Sequence, residues 1–268
     1  MIIVGELINA TRKVVKTAIE AIDSKVIQKL ASDQADAGAT YIDANAGVFP
    51  GKETKYLKWV IDNILKSTDL PVCIDSASHE VIEDVVKYTQ EKSDRIPMIN
   101  SISLEKKRVE NILPIIAGTD LKVIALCMDE KGMPTTVEQR VTIADKLINK
   151  LVQNNVKIEN IYVDPLVQAL STNIVFGTAF LTSVKNIMTQ YKGVHTMCGL
   201  SNISFGLPQR GFINRNFMAM AIANGLDGAI VNPLDKKMMA TIIAAETLQG
   251  RDEYCMEYLK AFRAGKIS

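Results

Sequence analysis

The strongest constraint on the fold of this 268-residue chain is its alternation of short, nearly continuous apolar runs with longer amphipathic stretches. Apolar runs of this kind are typical of parallel strands that are covered on both faces of a sheet. The runs that we predict as strands are Met1–Val4, Ala39–Ala44, Pro71–Ile74, Ile96–Ile99, Lys122–Cys127, Ile161–Val163, Val194–Leu200 and Gly228–Val231.

The stretches between these runs carry apolar residues at helical spacing. The first is opened by Asp23, a residue type that caps helix starts, and it ends near Gly38, a residue type that stops helices. The helices predicted after it are Thr54–Ser67, Ser78–Thr89, Leu104–Ile116, Val137–Asn154, Asn173–Gln190, Asn214–Asn224 and Asp235–Leu248. Strand and helix therefore alternate along the whole chain.

Two architectures are compatible with such an alternation: a closed barrel and a doubly wound open sheet. A doubly wound sheet usually has about five or six strands and a glycine-rich first turn. The segment Val4-Gly5-Glu6-Leu7-Ile8-Asn9 lacks that glycine pattern. We therefore predict an α/β protein folded as a single (β/α)₈ TIM barrel, with one domain across residues 1–268.

Charge and cysteine content exclude several classes of function. The 31 basic and 30 acidic residues leave a net charge of +1, which gives no field for nucleic acid. We interpret the one basic run, Glu105-Lys106-Lys107-Arg108, as a solvated helix face. No apolar run reaches the roughly 18 residues of a membrane helix.

Of the four cysteines, Cys73, Cys127 and Cys198 lie in apolar runs, whereas Cys255 does not, and none forms a C-x-x-C pair. We expect reduced thiols and a cytoplasmic location.

In a TIM barrel the active site lies at the carboxyl ends of the strands, so the polar residues that follow the predicted strands are candidates for it. These residues are Glu6, Asn9, Asp43, Asn45, Asp75, Asn100, Asp129, Asp164, Ser201, Asn202 and Asn232. His195 begins a predicted strand, which is the wrong end for a site. Without a cluster of His or Cys at ligand spacing, we expect no catalytic metal.

Carboxylates and amides in such a ring suit a flat heterocycle rich in N–H groups and ring nitrogens, such as a 2-amino-4-oxo pterin. Each residue also has a structural alternative. Asp75, Asn100 and Asn202 are placed where they could cap the following helix, and Asp164 precedes Pro165, which fixes a turn.

Five segments at these positions resemble the pterin-binding methyltransferases in their order and spacing. They are Asp43-Ala44-Asn45-Ala46-Gly47, Cys73-Ile74-Asp75-Ser76, Met98-Ile99-Asn100-Ser101, Tyr162-Val163-Asp164-Pro165 and Gly199-Leu200-Ser201-Asn202-Ile203-Ser204. The resemblance covers essentially the whole chain. It includes the methyltransferases that act with corrinoid proteins and the folate module of cobalamin-dependent methionine synthase. Dihydropteroate synthase shares the fold and the pterin aspartates and is the alternative, although its Ser-Arg-Lys type motif is replaced here by Ser201-Asn202-Ile203.

The resemblance implies a role for each matching position. Asp75, Asn100 and Asp164 correspond to family residues that hydrogen-bond the pterin ring. Asn202 corresponds to the catalytic asparagine near N5, the nitrogen that carries the methyl group. A further set, Gly199, Ser201 and Arg210, corresponds to residues close to the ligand.

The resemblance also implies an activity and partners. The expected reaction moves a methyl group between tetrahydrofolate and the cobalt of a corrinoid on a partner protein, because this chain has no corrinoid module of its own. A homodimer is expected. A pterin-binding protein without catalysis is the non-enzymatic alternative.

Overall fold

The computed structural model describes residues 1–267, which contain eight parallel strands and ten α-helices. The strands are β1 (Ile2–Gly5), β2 (Tyr41–Asn45), β3 (Val72–Asp75), β4 (Met98–Ile102), β5 (Lys122–Leu126), β6 (Ile161–Asp164), β7 (His195–Thr196) and β8 (Gly228–Val231). The helices are α1 (Lys13–Ala21), α2 (Ser24–Asp36), α3 (Glu53–Ser67), α4 (His79–Lys92), α5 (Lys106–Ile116), α6 (Val137–Gln153), α7 (Phe176–Gln190), α8 (Arg210–Ala223), α9 (Lys236–Leu248) and α10 (Met256–Arg263).

The strands form one sheet in the order β7-β6-β5-β4-β3-β2-β1-β8. Its two ends meet where Gly199 bridges Ile230 and the Ile230 N–H donates to the Cys198 carbonyl at 2.9 Å. The sheet therefore closes on itself, and the predicted (β/α)₈ TIM barrel is confirmed.

The barrel interior is filled because side chains alternate between the two faces of each strand. One inward-facing residue from each of seven strands or strand extensions forms a buried apolar cluster: Val4, Tyr41, Cys73, Met98, Ile124, Tyr162 and Met197. The outward-facing residues pack against the helices in two larger clusters. The side chains two positions further along each strand also point inward, at the carboxyl end of the barrel.

The predicted element boundaries hold within a few residues, with three differences. The seventh strand is only His195–Thr196, because the chain from Leu200 to Ser204 turns into a 3₁₀ helix. Helices α1 and α10 were not predicted. Both are short. Helix α10 follows the last strand and so lies outside the alternation, and α1 shares the interval between β1 and β2 with α2, where the alternation predicts a single helix.

The opposite, amino-terminal end of the barrel holds His195, as predicted. Its ring stacks on Tyr162 with centroids 4.7 Å apart, and its Nδ1 lies 2.6 Å from Asp227 Oδ2. Cys73, Cys127 and Cys198 are buried as free thiols, in agreement with the sequence, and Cys255 is exposed. Within residues 1–267, no helix combines the length and the apolarity that crossing a bilayer requires.

Candidate active site

A polar layer lies directly above the apolar cluster of the barrel interior. It follows from strand alternation, since a residue two positions after an inward-facing residue also faces inward. The members of this layer are Glu6, Asp43, Asn45, Asp75, Asn100, Asp164, Gly199 and Asn232. The strand ends therefore bring together Asp75, Asn100 and Asp164, three of the side chains that the sequence analysis selected for a ligand.

Three amide and carboxylate side chains of this layer occupy adjacent positions on neighbouring strands. Asn45 is paired in register with Asp75, and Asp75 with Asn100. The Asn45 amide donates to Asp75 Oδ2 at 2.9 Å, while its own oxygen accepts the Gly47 N–H at 3.0 Å. Both ends of the Asn45 amide are therefore engaged, which fixes its orientation. Asp75 Oδ2 accepts the Asn45 N–H, and the other carboxylate oxygen of Asp75 is left to accept from a ligand.

Burial raises the pKa of Asp75, and the hydrogen bond from Asn45 and the charge of Arg108 oppose that rise. Arg108 is half-buried and donates to the carbonyls of Ser101, Ala77 and Ser76 at 2.7–2.9 Å. The prediction that the basic run forms only a solvated helix face is therefore wrong at Arg108. Its guanidinium ties the loop after β3 to the end of β4, since one planar fork reaches three carbonyls.

Asp164 is the most enclosed of the three predicted ligand residues. It is 6% exposed, and its Oδ1 accepts the Leu166 N–H at 2.7 Å. Burial raises its pKa to about 7, while the N–H groups of Leu166 and Gly199 and the charge of Arg140 act in the opposite direction. The carboxyl group therefore changes its protonation state near pH 7. Its bond to the Leu166 N–H also fixes the turn at Pro165, so the structural role that the sequence offered is present.

Asp43 and Glu6 add two further carboxyl groups to the layer, and neither was assigned a role from the sequence. Asp43 is 2% exposed, and its Oδ1 has no hydrogen-bond partner among the described residues. Burial raises its pKa well above the usual value, and the neighbouring carboxylates of Asp75 and Glu6 raise it further. Burial also raises the pKa of Glu6, against the charges of Arg12 and Arg210. The mouth of the barrel therefore holds carboxyl groups that retain protons unusually well.

The loop after β7 forms one side of the mouth. Asn202 lies in the 3₁₀ helix Leu200–Ser204, and a methyl group placed on Gly199 would lie 3.6 Å from its Nδ2. Arg210 donates to Ser204 Oγ at 2.9 Å and to the Ser201 carbonyl at 2.6 Å. The arginine shapes this loop, and Asn202 lies beside Gly199 at the edge of the polar layer.

The capping alternatives for three candidates are excluded by the helix starts. Helix α4 is capped by Ser78, whose Oγ accepts the Val81 N–H, and not by Asp75. Helix α5 begins after Glu105, and α8 begins after Gln209, so neither Asn100 nor Asn202 caps a helix.

Other strand-end residues of the sequence analysis do have local roles. Asn9, Asp129 and Asn232 each accept the backbone N–H of the residue two positions later, which fixes a turn. The strand-end pattern contained Asn45 and Glu6 but gave them no role, and it did not contain Arg108, which only its place in a basic run marked.

Comparison with known proteins agrees with this architecture. A family model described as "Pterin binding enzyme" matches residues 5–232. The chain is 38% identical over 269 residues to the methylcorrinoid:tetrahydrofolate methyltransferase of Eubacterium limosum, an enzyme, and the alignment covers 100% of this chain and 98% of that protein. It is 28% identical to the methionine synthase of Mycobacterium leprae (strain TN), over 87% of this chain and 20% of that longer protein.

Solved structures with the same fold include the dihydropteroate synthase of Yersinia pestis, with a TM-score of 0.71, 16% identity and coverage of 93% of this chain and 94% of that chain. The dihydropteroate synthase of Stenotrophomonas maltophilia has a TM-score of 0.70 at 19% identity, covering 94% of this chain and 93% of that chain. At such identities the likeness concerns the fold alone. The family model spans most of the chain and the Eubacterium limosum enzyme aligns along all of it, so this chain belongs to the pterin-binding enzyme family.

Proposed function

We propose that this protein is a methyltransferase that moves a methyl group between N5 of tetrahydrofolate and the cobalt of a corrinoid held by a partner protein. The observation that carries the proposal is the ring of buried and half-buried carboxyl and amide groups at the strand ends, centred on Asp75, Asn100 and Asp164. The full-length identity of 38% to a methylcorrinoid:tetrahydrofolate methyltransferase supports the same reaction.

In this proposal the ring recognises the pterin by its N–H edge. The free oxygen of Asp75 and the remaining lone pairs of Asp164 accept the amino and ring N–H groups, and the Asn100 amide contacts the ring beside them. Gly199, Ser201 and Arg210 form the wall of the loop after β7 that borders the ring. Buried acceptors without a ligand carry a desolvation cost, so a pterin that satisfies them binds selectively.

The reaction needs a change of protonation at N5. In transfer to tetrahydrofolate, the N5 lone pair forms the new nitrogen–carbon bond, the electron pair of the cobalt–carbon bond stays on the metal, and the N5 proton leaves. In the reverse direction N5 must gain a proton to become a leaving group. The Asn202 amide steadies the changing charge on N5, and the buried carboxyl groups, Glu6 and Asp43 among them, exchange the proton through water.

A corrinoid would supply the cobalt centre that gives or accepts the methyl group, and the partner protein that carries it must reach the mouth of the barrel. The loops after β5 to β7 expose large apolar side chains that a docking partner can cover. These residues are Met133 (59% exposed), Ile174 (84%), Val175 (50%) and Phe205 (67%), with Phe212 (69%) in the first turn of α8. Exposed apolar groups clustered around a site mark interaction surfaces.

Further parts of the proposal concern the state of the protein in the cell. We propose a cytoplasmic homodimer in which residues 1–268 form one domain, with no role for nucleic acid or a membrane. A sedimentation experiment at micromolar concentration checks the assembly, since a lone species of 29.5 kDa contradicts the dimer.

The activity is tested with free methylcobalamin and tetrahydrofolate under anaerobic conditions. Stoichiometric demethylation, followed by the absorbance change of the corrinoid and by the appearance of 5-methyltetrahydrofolate, is the expected result. Binding of tetrahydrofolate without any methyl transfer from methylcobalamin would instead support the non-catalytic pterin-binding protein. Condensation of a pterin pyrophosphate with p-aminobenzoate would support the dihydropteroate synthase alternative.

A further inference from the structure

A cavity of about 530 Å³ lies beside the mouth of the barrel, between the loop after β8 and the loop after β1. We call it the β8–β1 cavity. Its lining is mostly apolar and carries two cationic residues and one amide. The lining residues are Leu7, Arg12, Lys13, Val14, Val15, Leu30, Asn232 and Leu234. Its volume falls within the range of small-ligand sites, roughly 300–1,000 Å³.

Two hydrogen bonds donated by main-chain N–H groups hold the walls of the β8–β1 cavity. The Leu7 N–H donates to Gln34 Oε1 at 2.9 Å, and Gln34 reaches it because Gly5 has no side chain. The Arg12 N–H donates to the Asn9 carbonyl at 3.0 Å, and Asn9 is bridged to the end of β2. The cavity is therefore formed by hydrogen-bonded segments that continue directly from the strand ends.

The cationic side of the cavity is available for a ligand. Arg12 and Lys13 are exposed, and across residues 1–267 neither forms an ion pair shorter than 4.0 Å. Arg12 and Arg210 both lie close enough to Glu6 for their charges to oppose the rise of its pKa, so two cationic side chains are near this carboxyl group at the mouth. A ligand that leaves the mouth on this side meets both the apolar lining of the cavity and its two cationic side chains.

Another cavity, of about 670 Å³, has a different lining. It lies between α2 and α9 and extends toward the amino-terminal end of the barrel. Five carboxylates line it, from Asp33, Asp36, Glu246, Asp252 and Glu257, against three cationic side chains. It shares Leu234 with the β8–β1 cavity but holds none of the polar layer, and its acidic lining does not suit an anionic ligand.

The covalent structure of the folate determines the direction in which its tail leaves a pterin bound in the polar layer. The tail is attached at C6, the ring atom next to N5, so it leaves the pterin on the side where we place Asn202. That side is the loop after β7, and β8 is the next strand of the barrel because Gly199 bridges Ile230. The tail consists of an apolar aromatic ring followed by glutamate carboxylates, and the β8–β1 cavity offers apolar surface followed by two cations.

We propose that the β8–β1 cavity binds the p-aminobenzoyl-glutamate tail of the folate. The aromatic ring packs against Leu7, Val14 and Leu234, and the carboxylates pair with Arg12 and Lys13. Further glutamates extend along the same cationic edge, so the preferred substrate is a folate that carries several glutamates. This inference rests on the proposed function, because it starts from a pterin in the polar layer.

The test compares three ligands that differ only beyond the pterin: 6-methyltetrahydropterin, tetrahydrofolate and tetrahydropteroyl-triglutamate. Dissociation constants are measured by anaerobic calorimetry for the wild-type chain and for the double variant Arg12→Gln/Lys13→Gln. We expect the double variant to bind tetrahydrofolate roughly three- to tenfold more weakly, the scale of two exposed ion pairs, and the triglutamate more weakly still. Binding of 6-methyltetrahydropterin stays unchanged.

A matched control is Lys131→Gln, which removes an exposed cation from the loop after β5 on the far side of the mouth. It leaves all three constants unchanged. Equal weakening of all three ligands by the double variant, or no weakening of either tailed ligand, overturns the inference while the pterin site stands. Failure of 6-methyltetrahydropterin to bind the wild-type chain overturns the proposed function itself, and the tail site with it.

Discussion

The Asn45 amide and the Asp75 carboxylate lie on neighbouring strands and are joined by a hydrogen bond of 2.9 Å that holds Asp75 in place from the side of β2. The bond matters because Asp75 is largely buried and is prone to take up a proton. A donor from Asn45 stabilises the ionised form, which in the proposed function is the form that accepts an N–H group of the pterin. In that proposal Asn45 is a positioning residue for the recognition of the ligand.

Replacement of Asn45 tests this relationship. We expect Asn45→Ala to weaken binding of 6-methyltetrahydropterin by about tenfold, since a hydrogen bond to a charged group contributes about 1.5–3 kcal/mol. Asp75→Ala should have at least the same effect, and the double variant should be no weaker than Asp75→Ala alone, because the two residues act as one unit. Calorimetry of the three variants gives the answer.

The control for this series is Asn149→Ala, which removes a comparable amide–carboxylate pair, to Asp145 at 3.1 Å, on the exposed surface of α6. It should leave ligand affinity unchanged. Additive losses in the Asn45→Ala/Asp75→Ala double variant would show that Asn45 does not act through Asp75.

Arg108 offers a second prediction, concerned with the loops and not with the ligand directly. Its guanidinium bonds three carbonyls of the loop after β3 and the end of β4, a pattern that a lysine cannot reproduce. We expect both Arg108→Lys and Arg108→Ala to lower the free energy of unfolding by about 1–3 kcal/mol, because three carbonyls, two of them partly buried, lose a charged donor. Urea unfolding measures the loss. Lys107→Ala, one residue away and exposed, serves as the control, and an equal loss there would contradict the assigned role.

A third prediction concerns pH and Asp164. Its folded-state pKa of about 7 exceeds the value of about 3.9 in an unfolded chain, so the folded protein binds this proton more tightly than the unfolded chain does. The contribution of Asp164 to stability is therefore largest below the unfolded value and declines as the pH rises from about 4 to about 7. Asp164→Asn cannot titrate, and its stability should fall less over this window than that of the wild-type protein.

Thermal unfolding of the ligand-free protein between pH 5 and pH 8, with and without the substitution, measures this difference. The ligand reverses the dependence, because a pterin N–H edge needs an ionised acceptor. Affinity for 6-methyltetrahydropterin should rise as the pH passes through about 7 in the wild-type chain. Identical pH slopes of stability in the two proteins would refute the raised pKa of Asp164.

Some parts of the fold leave a signature in the sequence and others do not. Apolar runs fixed the barrel, because a parallel strand covered on both faces leaves a continuous signature. Strand ends also located Asp75, Asn100 and Asp164, since the polar residue after a run must lie at the mouth. Helix α10 and the turn at Leu200–Ser204 left no such signature, because their shape depends on contacts with distant parts of the chain.

The roles of the arginines were the least predictable part. Arg108 and Arg140 both bond main-chain carbonyls of loops next to the polar layer, and Arg140 is fully buried with its Nε donating to the Pro165 carbonyl at 2.9 Å. A guanidinium that binds backbone depends on where carbonyls lie in space, and residue types alone do not record this. Sequence patterns thus found polar groups at the mouth of the barrel and missed the arginines that hold the loops beside them.

Asn202 gives the sharpest prediction about the reaction. Its amide lies beside Gly199 at the edge of the polar layer, and it caps no helix. In the proposed function it faces N5, where charge changes during transfer, and not the N–H edge that Asp75 and Asp164 recognise. Asn202→Ala should therefore lower the rate of methyl transfer by about 10²-fold or more, the scale for loss of one preorganised donor at a charged transition state. Its effect on tetrahydrofolate affinity should be smaller than this.

The variant Asn202→Asp tests the sign of that interaction. A carboxylate cannot donate a hydrogen bond to N5, but its charge favours a protonated N5, so its rate should lie between those of the wild-type protein and Asn202→Ala. Single-turnover rates with methylcobalamin and saturating tetrahydrofolate, measured beside dissociation constants, separate an effect on the transition state from an effect on binding. A wild-type transfer rate in Asn202→Ala would reduce Asn202 to a structural part of its 3₁₀ helix, and the charge on N5 would then have to be stabilised by the carboxyl groups of the polar layer.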